Sequence, residues 1–126
     1  MAELNHTIVH SRDKRAGAAY LAGVLALAEP RPFGPFQVVE TANGVSLDYL
    51  DAAPGAEITS QHYAFLLTNA EFDAAFARIR EGGDAYWADP GRSRPGEINT
   101  DDGGRGVYFD DPSGHLLEIL TVPDGG

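Results

Sequence analysis

The sequence contains one pattern twice, and this repeat constrains the fold more than any other feature. The segments GVSLDYL and GHLLEIL share the form Gly-x-x-Leu-acid-x-Leu, with the acid at Asp48 and at Glu118. His6 and His62 occupy the same place in the first predicted strand of their respective halves. Each half therefore has one histidine near its start and one carboxylate near its end. Self-similarity of this kind predicts a duplicated structural module.

The first half is predicted to contain a strand, a helix and a hairpin. Apolar and polar residues alternate over residues 4–9, which predicts a strand. Ser11 is a candidate N-cap for an Ala-rich helix over residues 13–28, which Pro30 and Pro32 end. We expect the helix to bury an apolar stripe at helical spacing. The stripe consists of Ala16, Tyr20, Val24 and Leu27. Asn43-Gly44 predicts a hairpin between residues 36–41 and 45–51.

A Pro/Gly/Ala-rich linker at residues 51–57 precedes a second half of the same kind. Residues 61–67 form a predicted strand, and Thr68 and Glu71 fit a capping box before a helix over residues 71–80. Gly82-Gly83 is expected to end this helix. Residues 86–87 are a possible short strand, and residues 89–104 form a long predicted loop, which is a hint of a functional lid. Two strand segments around the turn formers of residues 110–114 then predict a closing hairpin.

Glu118 is a carboxylate in the middle of an otherwise apolar strand. Such a strand is expected to be buried, and a buried carboxylate is costly unless a cation or a hydrogen-bond donor pairs with it. If the two halves are related by a pseudo-two-fold axis, His6, His62, Asp48 and Glu118 can converge on one point. Two imidazoles with one or two carboxylates suit a divalent transition metal. The alternative is a metal-free binder in which histidine protonation or hydrogen bonds satisfy Glu118.

Charge and cysteine content exclude several classes of protein. The formal net charge is −10, which argues against nucleic acid and anionic membranes as partners because both require basic patches. There is no cysteine, so disulfides, thiolate metal sites and thiol nucleophiles are excluded. No apolar run approaches the length of a membrane span, and MAELNH lacks the features of a signal peptide. We therefore expect a cytoplasmic protein.

The sequence resembles the vicinal oxygen chelate superfamily, which includes glyoxalase I, extradiol dioxygenases and bleomycin-binding proteins. The resemblance is carried by LNHTIV, QHYAF and above all YFDDPSGHLLEI. It implies an α+β fold in which two tandem βαβββ modules form a cupped, mixed eight-stranded sheet with the helices outside. Residues 1–126 would form one such domain, with module 1 at about 3–52, a linker at about 52–58 and module 2 at about 59–122. It also implies a homodimer, and in some small members the modules swap between chains.

The same resemblance implies the roles of particular residues. In metal-dependent members the ligands come from the first and last strands of each module, which corresponds here to His6, His62 and Glu118. Asp48 stands at the fourth place, where glyoxalase I-like members usually have glutamate. Since aspartate is one methylene shorter, three roles stay open for Asp48: a fourth ligand, a general base or a plain polar cavity residue. The ion would be Fe²⁺, Mn²⁺ or Zn²⁺, and oxygen activation would require iron. If the modules swap, His6 and the His62/Glu118 pair lie on different subunits.

Three further residues are candidates for contact with a substrate. Tyr108 is a candidate hydrogen-bond donor to a substrate oxygen, with core packing as the alternative. His10 follows His6 on the same strand face and is a candidate substrate-binding group, with a solvent-facing strand end as the alternative. Arg105 is the best candidate to clamp an anionic substrate, ahead of Arg92 and Arg94 in the predicted loop.

These observations support two main functions and a third, weaker one. The first is a metal-dependent lyase, dioxygenase or thiol transferase whose small substrate chelates a divalent ion through neighbouring oxygens. The second is a non-catalytic antibiotic-binding resistance protein, for which the acidic charge would attract a cationic drug. The third is a module that serves only in dimerisation or as a subunit. The combination of His6, His62 and Glu118 favours the first.

Overall fold

The structure is a computed structural model, and it describes residues 1–101 and 103–123. In this part of the chain there are two helices and eight strands. The first set is β1 (His6–Ser11), α1 (Lys14–Leu25), β2 (Arg31–Phe33), β3 (Phe36–Glu40) and β4 (Ser46–Asp51). The second set is β5 (His62–Leu66), α2 (Asn69–Glu81), β6 (Tyr86–Trp87), β7 (Gly106–Asp110) and β8 (Leu116–Leu120). The predicted order of one strand, one helix and three strands is therefore confirmed in both halves.

Each half forms its own four-stranded mixed sheet. The strand order is β1-β4-β3-β2 in the first sheet and β5-β8-β7-β6 in the second. In both sheets the opening strand lies parallel to the last strand, and the other neighbours are antiparallel. The chain divides into two compact units, Met1–Thr59 and Ser60–Gly126, which we call module 1 and module 2. The predicted α+β fold with two tandem βαβββ modules is confirmed.

The strand register is the same in the two modules. In module 1, Ile8 of β1 lies opposite Asp48 of β4. In module 2, Ala64 of β5 lies opposite Glu118 of β8. In each case the carboxylate faces the residue two positions after the histidine. Because side chains alternate between the two faces of a strand, the histidine and the acid of each module lie on the same face of their sheet.

Helix α1 corrects two predictions. Its N-cap is Asp13, whose side chain accepts hydrogen bonds from the backbone of Arg15 and Ala16, and not Ser11. Ser11 is the last residue of β1, because the pairing with β4 continues as far as Asp51. Of the predicted stripe only Val24 is buried, because the face that packs on the sheet is centred on other, mainly small residues. The buried residues of α1 are Gly17, Ala18, Leu21, Ala22 and Val24.

Small residues let α1 pack very closely on its sheet. A Cβ atom added at Gly17 would lie 2.9 Å from the hydroxyl oxygen of Ser11 and 3.0 Å from the ring of Tyr49. Both of these residues are almost fully buried. The buried face of α1 is therefore determined by the close approach of its backbone to the sheet. A pattern of large apolar residues does not indicate such a face.

Helix α2 follows its prediction closely. The capping box of Thr68 and Glu71 is present in both directions, and the C-cap is Gly82. Its buried residues are Phe72, Ala75 and Ile79. This helix packs through large side chains, in contrast to α1.

The predicted loop at residues 89–104 has local order in its described part, and residue 102 lies outside the described residues. The carboxylate of Asp89 accepts hydrogen bonds from the Ser93 hydroxyl and from the backbone N–H groups of Ser93 and Arg94. The hydrogen bond from Ser93 holds the pKa of Asp89 below its usual range. Single β-bridges also join Trp87 to Pro95 and Asn99 to Gly106.

Neither helix in the described part of the chain has the length and apolar character needed to cross a membrane.

Candidate active site

Module 2 contains a histidine and a carboxylate in direct contact. Nε2 of His62 lies 3.1 Å from Oε1 of Glu118. The side chain of Glu118 is 4% exposed and that of His62 is 45% exposed, so the pair connects a buried carboxylate to the surface of the module. The parallel pairing of β5 with β8 produces this contact, because it sets the two residues on the same face of neighbouring strands.

Both ring nitrogens of His62 face oxygen atoms. Besides the contact with Glu118, Nδ1 lies 3.0 Å from the carbonyl oxygen of Leu116. A neutral imidazole has only one N–H group, so this geometry needs either an extra proton on the pair or a cation beside Nε2. In the second case Nδ1–H donates to the carbonyl and Nε2 presents its lone pair. That is the usual arrangement of a metal-binding histidine and the backbone acceptor that orients it.

Tyr108 belongs to the same cluster. It lies opposite Glu118 in the antiparallel pairing of β7 with β8. Its ring stacks on the imidazole of His62, with 5.9 Å between centroids and 26° between planes. The sequence-predicted residues His62, Tyr108 and Glu118 are thus brought together on one face of module 2.

Module 1 presents its histidine and carboxylate in a pocket. His6 and Asp48 both line a pocket of about 300 Å³. Nδ1 of His6 lies 2.8 Å from the side-chain oxygen of Asn5. Asp48 is buried, and its Oδ1 has no hydrogen-bond partner among the described residues. Since a buried carboxylate oxygen without a partner is costly, this atom is a natural acceptor for a ligand or a cation.

The rest of this pocket is formed by residues that the sequence did not single out. Its apolar part is formed by Ile8, Phe33, Phe36 and Val38, and its polar part also includes Asn5, Arg31 and Ser46. Arg31 and Phe33 belong to β2. This strand was not predicted, because Pro30 and Pro32 are typical of the end of a helix or of a turn. The sequence did contain one signal for this wall of the pocket. It is the pair of aromatic residues Phe33 and Phe36 in the segment PRPFGPF, at the start of the predicted hairpin.

Arg105 lines a small recess together with Glu118, but its guanidinium is held by other residues of module 2, and His10 does not line the pocket of module 1. The guanidinium of Arg105 donates to Asp73 at 2.6 Å and to the backbone oxygen of Asn69 at 3.1 Å, and it lies 4.5 Å from the ring centroid of Phe72. It therefore joins the residue just before β7 to the start of α2. His10 lies on the same exposed face of β1 as His6 but is not among the residues that line the pocket. Their contact with a substrate stays a prediction.

The other two candidate arginines have acidic partners. Arg92 donates to Asp110 at 2.6 Å and lies over the ring of Trp87 at 5.1 Å. Arg94 lies 3.9 Å from Asp101. Arg31 differs from these residues, because no hydrogen bond or ion pair of its side chain is present among residues 1–101 and 103–123.

The donor atoms of both modules suit a divalent ion. Within residues 1–101 and 103–123 no group of three or more His, Asp or Glu side chains lies close enough together to hold a metal. The three-ligand set of His6, His62 and Glu118 therefore stays a prediction. Each module by itself supplies one imidazole and one buried carboxylate, and one oxygen of Asp48 has no hydrogen-bond partner in the described part of the chain. Nitrogen and oxygen donors of this kind fit Fe²⁺, Mn²⁺ or Zn²⁺.

Comparison with protein families identifies the fold from sequence. The family model described as the Glyoxalase/Bleomycin resistance protein/Dioxygenase superfamily matches residues 6–119. Among curated proteins, the metallothiol transferase FosB of Shouchella clausii (strain KSM-K16) is 42% identical over 62 residues. That match covers 48% of this chain and 37% of FosB, so the chain matches well under half of that relative's length.

Comparison with solved structures gives similarity over the full length. The structure named Oxidase ChaP-H1 is 60% identical, covers 100% of both chains and has a TM-score of 0.96. The structure named Oxidase ChaP-H2 is 58% identical, covers 99% of this chain and 97% of its own, and has a TM-score of 0.95. Fosfomycin resistance protein FosX of Mesorhizobium loti, at 20% identity and a TM-score of 0.71, shares the fold.

Proposed function

The chain belongs to the glyoxalase/bleomycin resistance protein/dioxygenase superfamily, and from this premise we propose that it is a metal-dependent oxidase. Its substrate would be a small molecule that approaches the ion through neighbouring oxygen atoms. The relatives that carry an activity in their names are enzymes, which confirms the prediction of an enzyme of this superfamily. The reaction, the ion and the substrate belong to the proposal.

Full-length similarity to two oxidases carries this proposal. Identities of 60% and 58%, over the whole chain in one case and 99% of it in the other, are much higher than the 20% identity to FosX, which supports the fold alone. The curated relative FosB is named a metallothiol transferase, and it is similar to 48% of this chain. This partial similarity supports the metal dependence in the proposal.

His6, His62 and Glu118 are the residues that we propose to hold the ion. Two histidines and one carboxylate with open positions are typical of non-haem iron sites that use dioxygen. When bound, such an ion supplies Lewis-acid chemistry, and iron also supplies redox chemistry toward dioxygen. The hydrogen bond from Nδ1 of His62 to the Leu116 carbonyl would orient the imidazole for this purpose.

Asp48 and Tyr108 are the residues that we propose to act on the substrate. Oδ1 of Asp48 is a buried acceptor without a partner among the described residues, so it can take the proton of a substrate hydroxyl group. The phenol of Tyr108, which stacks beside His62, can donate a hydrogen bond to a substrate oxygen. The apolar walls near Asp48 would keep bulk water away from the proton that it holds.

We also propose a cytoplasmic location.

We further propose that the protein is a homodimer, with or without exchange of modules between the chains. Light scattering gives the mass of the assembly. Mixing a variant of His6 with a variant of Glu118 tests exchange between subunits. If the site is shared between chains, the mixed dimer regains one complete ligand set and part of the activity. No recovery in a mixture that has been shown to exchange subunits would place the three ligands in one chain.

Metal content and oxygen uptake test the proposal directly. Untagged protein is analysed for bound metal, then loaded with Fe²⁺, Mn²⁺ or Zn²⁺ and assayed for oxygen uptake with catechols and hydroxynaphthoquinones, which carry neighbouring oxygens. We expect Glu118→Gln to lose both metal and oxygen uptake. Glu40→Gln is the matched control, because Glu40 is an exposed residue at the end of β3. Equal metal content in wild type and Glu118→Gln would refute metal ligation.

Two other functions remain as outcomes of the same experiment. The partial identity to a metallothiol transferase favours thiol transfer as the second candidate, and consumption of a thiol without oxygen uptake would support it. A non-catalytic drug-binding protein would bind its ligand tightly after chelation of metal and after substitution of Glu118. Neither result is expected if the chain is an oxidase.

A further inference from the structure

We propose that the pocket of module 1 binds the carboxylate of a flat aromatic acid, and that Arg31 recognises its charge. The inference rests on the proposed function, because it names the substrate class of the same site. It concerns a residue outside the predicted metal and catalytic sets. Arg31 and the apolar walls of the pocket are the observations that carry it.

The walls define the shape and polarity of the ligand. Phe33, Phe36, Ile8 and Val38 all line the pocket, and Phe33 is 64% exposed. An exposed aromatic ring beside a concave apolar surface is typical of a binding site for flat, apolar groups. A volume of about 300 Å³ is at the lower end for small-molecule sites, which indicates a compact ligand of one or two rings.

The positions of Arg31 and Asp48 define the polar ends of the ligand. Pairing between strands sets Ile8, Asp48, Val38 and Arg31 in one row across the sheet. Neighbouring strands are about 4.8 Å apart, so Arg31 lies roughly 10 Å from Asp48 along this row. Apolar Val38 occupies the position between them. The row therefore suits a ligand with an anion at one end, a flat apolar body, and hydroxyl groups at the other end.

Arg31 places a positive charge in the pocket of a protein that is strongly acidic as a whole. The chain has a formal net charge of −10, which on average repels an anionic ligand. An arginine without a partner among the described residues, within a pocket that also contains Asp48, can offset this repulsion locally. Arginine binds carboxylates with paired, charge-assisted hydrogen bonds, which gives direction as well as affinity.

The test uses two probes that differ only in charge. Caffeic acid (3,4-dihydroxycinnamate) has neighbouring hydroxyl groups at one end of a flat body and a carboxylate at the other, and methyl caffeate lacks the charge. Calorimetry on metal-free wild-type protein should give about tenfold tighter binding of the acid than of the ester. In Arg31→Gln the acid should bind no better than the ester, whereas the affinity of the ester should not change.

Three more variants separate recognition from a general loss of structure. Arg31→Lys should keep part of the preference, and Phe33→Ala should weaken both probes alike. Arg15→Gln removes a charge at an exposed position of α1, outside the pocket, and should keep the full preference. Wild type without a preference for the acid, Arg31→Gln with the wild-type preference, or no binding of either probe would overturn the proposal. This binding test uses metal-free protein and does not depend on catalysis. If the metal-loaded protein had no oxidase activity, the proposed function would be refuted, but the preference for the acid would still stand.

Discussion

The two modules have the same strand register but differ in the side chains that it aligns. In module 1 the row across the sheet is Ile8, Asp48, Val38 and Arg31. In module 2 the corresponding row is Ala64, Glu118, Tyr108 and Trp87. Both rows begin with an aliphatic residue followed by a carboxylate, and they differ in the two places after it. The duplication therefore keeps the carboxylate and varies the residues that lie on its β3 or β7 side.

This variation changes what each carboxylate contacts. Glu118 lies 3.1 Å from His62, and the recess beside it holds only about 10 Å³. Asp48 has an oxygen without a partner among the described residues and lines a pocket of about 300 Å³. Module 2 thus has its polar groups in contact with each other, whereas module 1 keeps space for a ligand. The two carboxylates thus differ in their nearest contacts and in the space beside them.

The largest expected effect is a different response of the two carboxylates to loss of charge. Glu118→Gln should remove the metal and lower activity by at least about 100-fold, since even loss of a residue that only supports a ligand costs about 10- to 100-fold. Asp48→Asn should lower activity while most of the metal stays bound, because we propose Asp48 as a proton acceptor. Metal analysis combined with oxygen uptake measures both. Loss of metal in Asp48→Asn would make it a fourth ligand and remove this difference between the modules.

The helices provide a second contrast, which unfolding measurements can test. Phe72→Ala in α2 should lower the free energy of unfolding by about 3–5 kcal/mol, because it leaves a cavity under a fully buried ring. Gly17→Ala in α1 should lower it by about 1–3 kcal/mol, because the added methyl group would lie too close to Ser11 and Tyr49.

The matched control for this contrast is in the same helix. Gly23 has no atom within 4 Å of an added Cβ, so Gly23→Ala should raise the free energy of unfolding by up to about 1 kcal/mol. Denaturant titration measures all three changes. If Gly17→Ala were as stabilising as Gly23→Ala, close packing of α1 through small residues would not be a property of module 1.

The arginines should separate a structural role from a binding role. Arg105→Gln should lower the free energy of unfolding by about 1–2 kcal/mol, because it removes the ion pair with Asp73 and the contact with the ring of Phe72. Arg31→Gln should change stability by less than about 0.5 kcal/mol. Thermal unfolding of both variants checks this. Unchanged stability with lost activity in Arg105→Gln would instead support its predicted contact with a substrate.

The smallest expected effect concerns the capping box, which is a feature of α2. Hydrogen bonds from the backbone and the hydroxyl group of Thr68 hold the pKa of the Glu71 carboxyl below its usual range. The charged carboxylate therefore stabilises the folded protein at pH values above its unfolded pKa. This contribution is lost as the pH falls through the lower folded pKa.

Glu71→Gln should accordingly lower the melting temperature slightly at neutral pH and leave it unchanged in acid. Glu81→Gln, at the other end of α2, should not lower it at neutral pH, because a negative charge is unfavourable at a helix C-terminus. Melting curves from neutral to acidic pH compare the two variants. An equal deficit for Glu71→Gln at all pH values would show that its charge is not involved.

Much of the fold was predictable because its signals are local. The capping box of Thr68 and Glu71 and the closing hairpin depend on residues a few positions apart, and the structure has them where the pattern predicts. The repeat also predicted one histidine near the start and one acid near the end of each half. That His62 and Glu118 share a face follows from the register of β5 with β8, which the structure supplies.

The sequence by itself therefore determined the duplicated order of a strand, a helix and a closing hairpin, and the two carboxylates, since these are encoded in short-range patterns. Only the tertiary structure decided the N-cap and the buried face of α1, because pairing of β1 with β4 extends the strand through Ser11 and brings Tyr49 close to Gly17. It also decided the pocket. Arg31 lies in the same row as Asp48 because two antiparallel pairings connect β2 to β4. Contacts between strands that are distant in the chain depend on this register, which no local pattern specifies.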